Sequence, residues 1–120
     1  MASKTLADLL KERLGVDTYE RVSAPGFQVG TSIISVARQN PNRVALLFVN
    51  LSANTVYLSP DGVPSSTHGI ALGANGGFLA LNYRDDMSLC GMEWAGIASG
   101  AGSDIFVLEL LTLAEKENKI

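Results

Sequence analysis

Hydrophobic positions along the chain change period near residue 30. Leu6, Leu9, Leu10 and Leu14 follow the i, i+3, i+4, i+8 spacing of one helix face, which predicts an amphipathic helix over residues 3–14. Ser3 suits its N-cap, Lys11 and Arg13 place cations in the last turn, and Gly15 suits the left-handed C′ position. A helix of about twelve residues is marginal alone in water, so its leucine stripe must pack on its own domain or on another subunit. From Val16 to Gly30 no period is sustained, and Pro25 and glycines punctuate the chain. This segment reads as an extended arm with a short strand around Phe27 to Val29.

From Thr31 onward, short runs rich in Val, Ile, Leu, Thr and aromatics alternate with Gly, Pro, Asn, Asp and Ser, the pattern of many antiparallel strands. The predicted strands are Ser32 to Arg38, Arg43 to Asn50, Thr55 to Ser59, Ile70 to Leu72, Phe78 to Tyr83, Ser88 to Gly91, Trp94 to Ser99 and Ile105 to Leu113. Eight strands fit a mainly β fold, an antiparallel β-sandwich or jelly-roll-like body over residues 31–113, preceded by the helix and arm (1–30) and followed by a solvated tail (114–120). Gln39 to Asn42 suits a tight turn, Leu51 to Asn54 has hairpin length, and Asn75-Gly76 is a strong turn dipeptide. Pro60 to Gly69 is the longest loop of the body.

Two strands lack in/out alternation: Val44 to Val49, and Ile105 to Leu108 with its continuation to Leu111. Only one face of each sheet in a two-layer fold meets the core, so a strand apolar on both faces needs a second cover. Either the N-terminal helix or another subunit can supply it. The residues expected at that cover are Leu6, Leu10 and Leu14 from the helix and Leu47, Val49, Phe106 and Leu108 from the strands.

Composition supports this reading. The chain has 120 residues, room for one domain, with an ordinary 47% hydrophobic share but only 18% charged residues, against about 25% in typical soluble proteins. That surface short of charge implies association, and the expected partner is the chain itself, as a homo-oligomer. A net charge of −3 with no basic run gives no footprint for a phosphate backbone, so nucleic acid is not an expected partner. No membrane contact is expected either, because the longest apolar run, Val44 to Val49, is far short of the about 20 residues a spanning helix needs. Asp8, Lys11 and Glu12 interrupt any signal-like apolar run, so the N-terminus reads as mature sequence.

The search for chemistry returns mainly exclusions. His68 is the only histidine, and a hydrolytic triad would have to combine it with Ser65 or Ser66 and Asp61 from one loop. Cys90 is the only cysteine and lies in another segment, so no cofactor or zinc site is expected. Asp85-Asp86 reads as a solvated turn, without the spacing of a calcium loop. The glycine cluster Gly96 to Ser103 lacks the lysine of a phosphate loop and precedes a strand-like run. No acid, base and nucleophile converge, and a non-enzymatic protein is expected. A second reading is a carbohydrate- or receptor-binding sandwich, with Tyr57, Tyr83 or Trp94 as stacking platforms beside Asp85, Asp86 or Glu93.

Read as a series, Asn42 to Asn50, Val56-Tyr57-Leu58-Ser59-Pro60, Gly69 to Leu72, Asn75-Gly76-Gly77 and Glu93 to Ile97 resemble the small β-sandwich virion proteins of tailed bacteriophages. The resemblance covers roughly residues 42–110 and brings no catalytic residues. It implies a capsid decoration or cement protein, or a head-fibre-like component, that stabilises the shell. The implied partners are other copies of the chain, with a trimer favoured, and the major capsid protein or another virion protein. The implied location is the virion, assembled in the host cytoplasm.

Overall fold

The computed structural model describes residues 17–112 together with Thr5, Asp8, Leu9, Glu12 and Gly15. The protein is mainly β, with strands β1 (Thr18–Val22), β2 (Gln28–Val29), β3 (Ile34–Ala37), β4 (Arg43–Asn50), β5 (Val56–Ser59), β6 (Ile70–Leu72), β7 (Phe78–Asn82), β8 (Trp94–Ala98) and β9 (Ser103–Thr112). They form two antiparallel sheets. The first has the order β1-β9-β4-β7, with β2 also pairing β9, and the second has the order β3-β8-β5-β6. Buried side chains from both sheets, among them Leu46, Phe48, Val56, Leu58, Trp94, Ile105 and Val107, make one core cluster.

Two of the expected turns do more than turn. The tight turn at Gln39 to Asn42 and the hairpin-length segment Leu51 to Asn54 join β3 to β4 and β4 to β5, yet each pair of strands lies in different sheets. Both segments therefore cross the core, and only β5 and β6 are sequence neighbours paired in one sheet. The Asn75-Gly76 turn likewise carries the chain across, from β6 to β7. Beside it, Gly77 packs so tightly that a Cβ would sit 2.4 Å from the Gly73 nitrogen and oxygen, which requires glycine.

Two segments differ from the sequence expectation. Ser88 to Gly91, expected as a strand, lies in a 3-10 turn (Met87–Gly91) that follows a short helical turn (Tyr83–Asp86). The Asn82 side chain starts that helical turn by accepting from the Arg84 and Asp85 amides, and the Asn82 backbone N–H donates to Asp86 Oδ2 at 2.9 Å. The 3-10 turn is held from outside: Trp94 Nε1 donates to the Leu89 carbonyl and Arg43 Nε to the Cys90 carbonyl. The second difference is in the segment read as an arm, which supplies β1 as well as the expected β2. Polar Arg21 of β1, half-exposed at the sheet edge, takes the position on the inner side beside Glu109 where an apolar residue would mark a strand.

At the start of the described chain, Asp8 N donates to Thr5 Oγ1 and Thr5 N to Asp8 Oδ2, a reciprocal pair typical of a helix N-terminus. Asp8, Leu9 and Glu12 are helical, and Gly15 has φ of 76°. Ser3, Leu6, Leu10 and Leu14 lie outside the described residues, as do residues 113–120.

β4 is fixed by a buried polar group at each end. Arg43, 3% exposed, donates from Nη1 to Glu109 Oε2 at 2.7 Å and to the Arg38 carbonyl at 2.9 Å. Its Nε reaches the Cys90 carbonyl at 2.8 Å and its Nη2 the Met92 carbonyl at 2.6 Å. Glu109 is shared with Arg21, whose Nε lies 3.0 Å from Oε1. At the other end Asn50 is fully buried. Its Nδ2 donates to the carbonyls of Asn54, Leu72 and Gly73, while Oδ1 accepts from the amide and hydroxyl of Ser52. Among the described residues no buried side-chain polar atom lacks a partner.

Burial pushes the Glu109 carboxyl up, but the hydrogen bonds from Arg21 and Arg43 outweigh it and hold the group below its ordinary value. A carboxylate whose folded pKa is depressed adds stability above its unfolded pKa, about 4.3 for Glu, and that contribution fades as pH falls below it. Arg43→Met removes one cation and strands three carbonyls. A loss of about 3–5 kcal/mol is expected from urea denaturation at neutral pH, with a deficit that shrinks as the solution is acidified and Glu109 is protonated.

Candidate functional site: the outer face of the first sheet

The strand register decides which residues share the solvent side of the first sheet. Leu46, Phe48 and Asn50 of β4 and Ile105, Val107, Glu109 and Leu111 of β9 point into the molecule, so the residues between them point out. Three rows result from direct cross-strand pairs. One runs Ala80, Leu47, Leu108, Val22; a second runs Phe78, Val49, Phe106; a third runs Asn82, Ala45, Leu110, Glu20.

Nine of these eleven side chains are apolar, and the only charge is Glu20 at the rim. Phe78 is 67% exposed and Val22 54%, while Leu47, Val49, Phe106, Leu108 and Leu110 are half-buried. A groove of about 440 Å³ runs along the rows between Glu20 and Asn82, floored by Leu47, Ala80 and Leu108. Three rows across four strands cover roughly 400 Å² at standard strand spacings. That equals the largest apolar patch of a typical monomer, a feature that is often functional.

The four strand residues singled out from the sequence, Leu47, Val49, Phe106 and Leu108, thus come together as two directly opposed pairs on one outer face. Val22, Phe78 and Ala80, which complete the rows, were not singled out. Phe78 to Leu81 is itself apolar on both faces, with Leu79 and Leu81 inward and Phe78 and Ala80 outward, so the test that exposed β4 and β9 applies to it. Val22 carried no signal, being the lone aliphatic at the end of a polar strand.

The aromatic residues of the carbohydrate reading do not assemble. Trp94 is 1% exposed, with its ring 5.9 Å from that of Phe48 and its indole N–H on the Leu89 carbonyl, so it is a core side chain and not a stacking platform. Tyr57 is half-buried and points out from the second sheet, whereas Tyr83 is exposed beyond the end of β7 in the first. Glu93 accepts a hydrogen bond from Ser35, and the Asp85 and Asp86 carboxylates are used on Asn82.

His68 does meet Asp61, Nε2 to Oδ2 at 2.6 Å. The order of groups is wrong for nucleophile activation, however. Ser59 donates to the other Asp61 oxygen, so the carboxylate sits between hydroxyl and imidazole, and no base faces the serine. Ser65 contacts Thr67 instead. Cys90 is buried, and desolvation raises its thiol pKa, with Arg43 opposing, which leaves little thiolate for chemistry. Among the described residues no three His, Cys, Asp or Glu side chains converge as a metal site. The glycine cluster is split, with Gly96 buried inside β8 and Gly100 and Gly102 in the turn before β9.

No family model, curated protein or solved structure matches the chain.

The hydrogen bond from Ser59, then that from His68, hold the Asp61 carboxyl at about 2. Its folded pKa lies below the unfolded value of about 3.9, so its contribution to stability is complete above that value and fades as pH falls toward 2. In thermal melts between pH 5 and pH 2, Asp61→Asn is expected to show a shallower loss of Tm than the parent chain. Parallel curves would refute the assignment.

Proposed function

We propose that this chain is a non-enzymatic structural component of a tailed-phage virion, a jelly-roll protein that associates with itself and decorates or cements the capsid. With the two-residue β2 set aside, eight strands in sequence order lie as 1-8-3-6 in one sheet and 2-7-4-5 in the other. This order supports a sandwich of jelly-roll type, a fold used by capsid domains and also by lectins. Fold alone does not assign function, so the reading rests on the site.

The observation that carries it is the apolar outer face of the first sheet on a chain poor in charge. Such a face favours burial against a protein surface over turnover of a small substrate. On this reading it seats on the major capsid protein or another virion protein. Copies held together by self-association present several such faces at once, and their modest individual contacts add through effective concentration to give durable attachment. The chain is then a virion protein assembled in the host cytoplasm.

Co-sedimentation with purified tailed-phage capsids tests this. The parent chain is expected to pellet with shells, and Leu47→Asp or Leu108→Asp to weaken binding more than tenfold, because each places an unpaired carboxylate in the middle row of the contact. A parent chain that stays in the supernatant at micromolar concentration overturns the reading.

A further inference from the structure

We infer that two copies of this chain pair through β7, edge to edge and antiparallel, so that their first sheets join into one. The pairing rests on the assembly reading and gives self-association a site of its own, two-fold in place of the trimer that the phage resemblance implies, and it leaves the outer face free for the shell.

Among the described residues the two sheets have five edge strands, β1, β7 and the two-residue β2 in the first and β3 and β6 in the second. An open edge is a template for another chain, and proteins blunt edges with charges, bulges, prolines or shortness. β1 carries Glu20 and Arg21. β3 has a register shift between Ser35 and Ala37, and β6 is three residues long. β7, Phe-Leu-Ala-Leu-Asn, has no charge, no proline and no shift in its register with β4.

The free hydrogen-bonding groups can be assigned. Asn50 N donates to the Gly77 carbonyl and Gly76 N to the Asn50 carbonyl, so Asn50 faces β7. By the alternation of an antiparallel ladder, Phe48 and Leu46 face it too and bond to their partners Leu79 and Leu81. The N–H and C=O of Phe78 and Ala80 therefore point away from the sheet. The free stretch ends at both sides, because the Asn82 amide is taken by Asp86 Oδ2 and the Gly76 amide by Asn50.

Only a register that pairs Phe78 with Ala80 uses all of these groups. A two-fold axis at Leu79 produces it: Phe78 of one copy exchanges N–H to O=C bonds with Ala80 of the other, and symmetry repeats the exchange. Both side chains are exposed on the outer face. The large ring of one copy then lies beside the small methyl of the other, and the apolar rows continue from sheet to sheet, doubling the patch to roughly 800 Å² at the same strand spacings. A patch of that size matches one partner's share of a standard protein interface.

Light scattering coupled to size exclusion is expected to give about 25 kDa, twice the 12.7 kDa chain. Ala80→Pro deletes an outward N–H at a position where an edge strand tolerates proline, and Ala80→Lys adds the charge that blunts an edge. Each is expected to return the mass to that of a monomer. In amide exchange by NMR, Phe78 and Ala80 should be protected in concentrated samples and lose protection on dilution, while Leu79 stays protected at both. A monomer at every concentration, a trimer, or an oligomer that survives both variants with the Phe78 and Ala80 amides exchanging freely overturns the pairing. Leu108→Asp is expected to keep the dimer while losing the shell, so a dimer that binds no capsid counts against the virion reading and leaves the pairing standing.

Discussion

The buried contact of Arg43 with Glu109 fixes the relation of the two sheets. Both residues lie in the first sheet, on β4 and β9, yet the guanidinium spends its other donors on the carbonyls of Arg38, Cys90 and Met92, which belong to the connections leading out of β3 and into β8 of the second. A guanidinium suits this position because its rigid fork distributes several hydrogen bonds in one plane and keeps its charge when buried. Glu109 then needs both Arg21 and Arg43 to offset desolvation, which explains why β1 joins β9 despite its exposed, polar composition.

Asn50 does at the far end of β4 what Arg43 does at the near end. Its amide binds carbonyls of the loop after β4 and of the turn after β6, so the two connections that cross the core at that end are tied to one side chain. A fold in which most consecutive strands change sheets has few local hairpins to set its register. Two specific polar clamps on the central strand supply that information, since a slip by one residue would bury neither of them correctly.

This arrangement explains what the sequence revealed and what it hid. The strands β2 to β9 were legible because apolar runs with turn residues between them identify strands whatever their partners. The pairing was not legible, because Gln39 to Asn42 and Leu51 to Asn54 have the length and composition of hairpin turns and become crossings only when Arg43 and Asn50 draw the connections over the core. Ser88 to Gly91 was misread because its carbonyls are claimed by Trp94 and Arg43, tertiary partners that no local pattern contains. Of the candidate face, β4 and β9 stood out through their doubly apolar runs. The flanking contributions of β1 and β7 required the register, since single residues such as Val22 become part of a patch only once their cross-strand neighbours are known.

The first sheet departs from an ordinary half-exposed sheet in carrying an ion pair within its apolar inner face and apolar rows on its outer one. Its inward side holds the buried Arg43 and Glu109 among Leu46, Phe48, Ile105 and Val107, with the half-exposed Arg21 at the edge, and its outward side holds Val22, Leu47, Phe78, Phe106, Leu108 and Leu110. Neither half of that arrangement is the stable choice for an isolated domain, because buried ion pairs often contribute less than apolar residues of similar volume, and exposed apolar rows gain nothing from water. The two halves become compatible when the outer face is covered. A clamp that fixes the sheet from within by charge and hydrogen bonds keeps its outer surface flat and in register without drawing on that surface for stability. The low charge count of the chain follows from the same division. Part of its small complement of charge is committed to the interior, and the surface left without charge is the one the register assembles into continuous apolar rows.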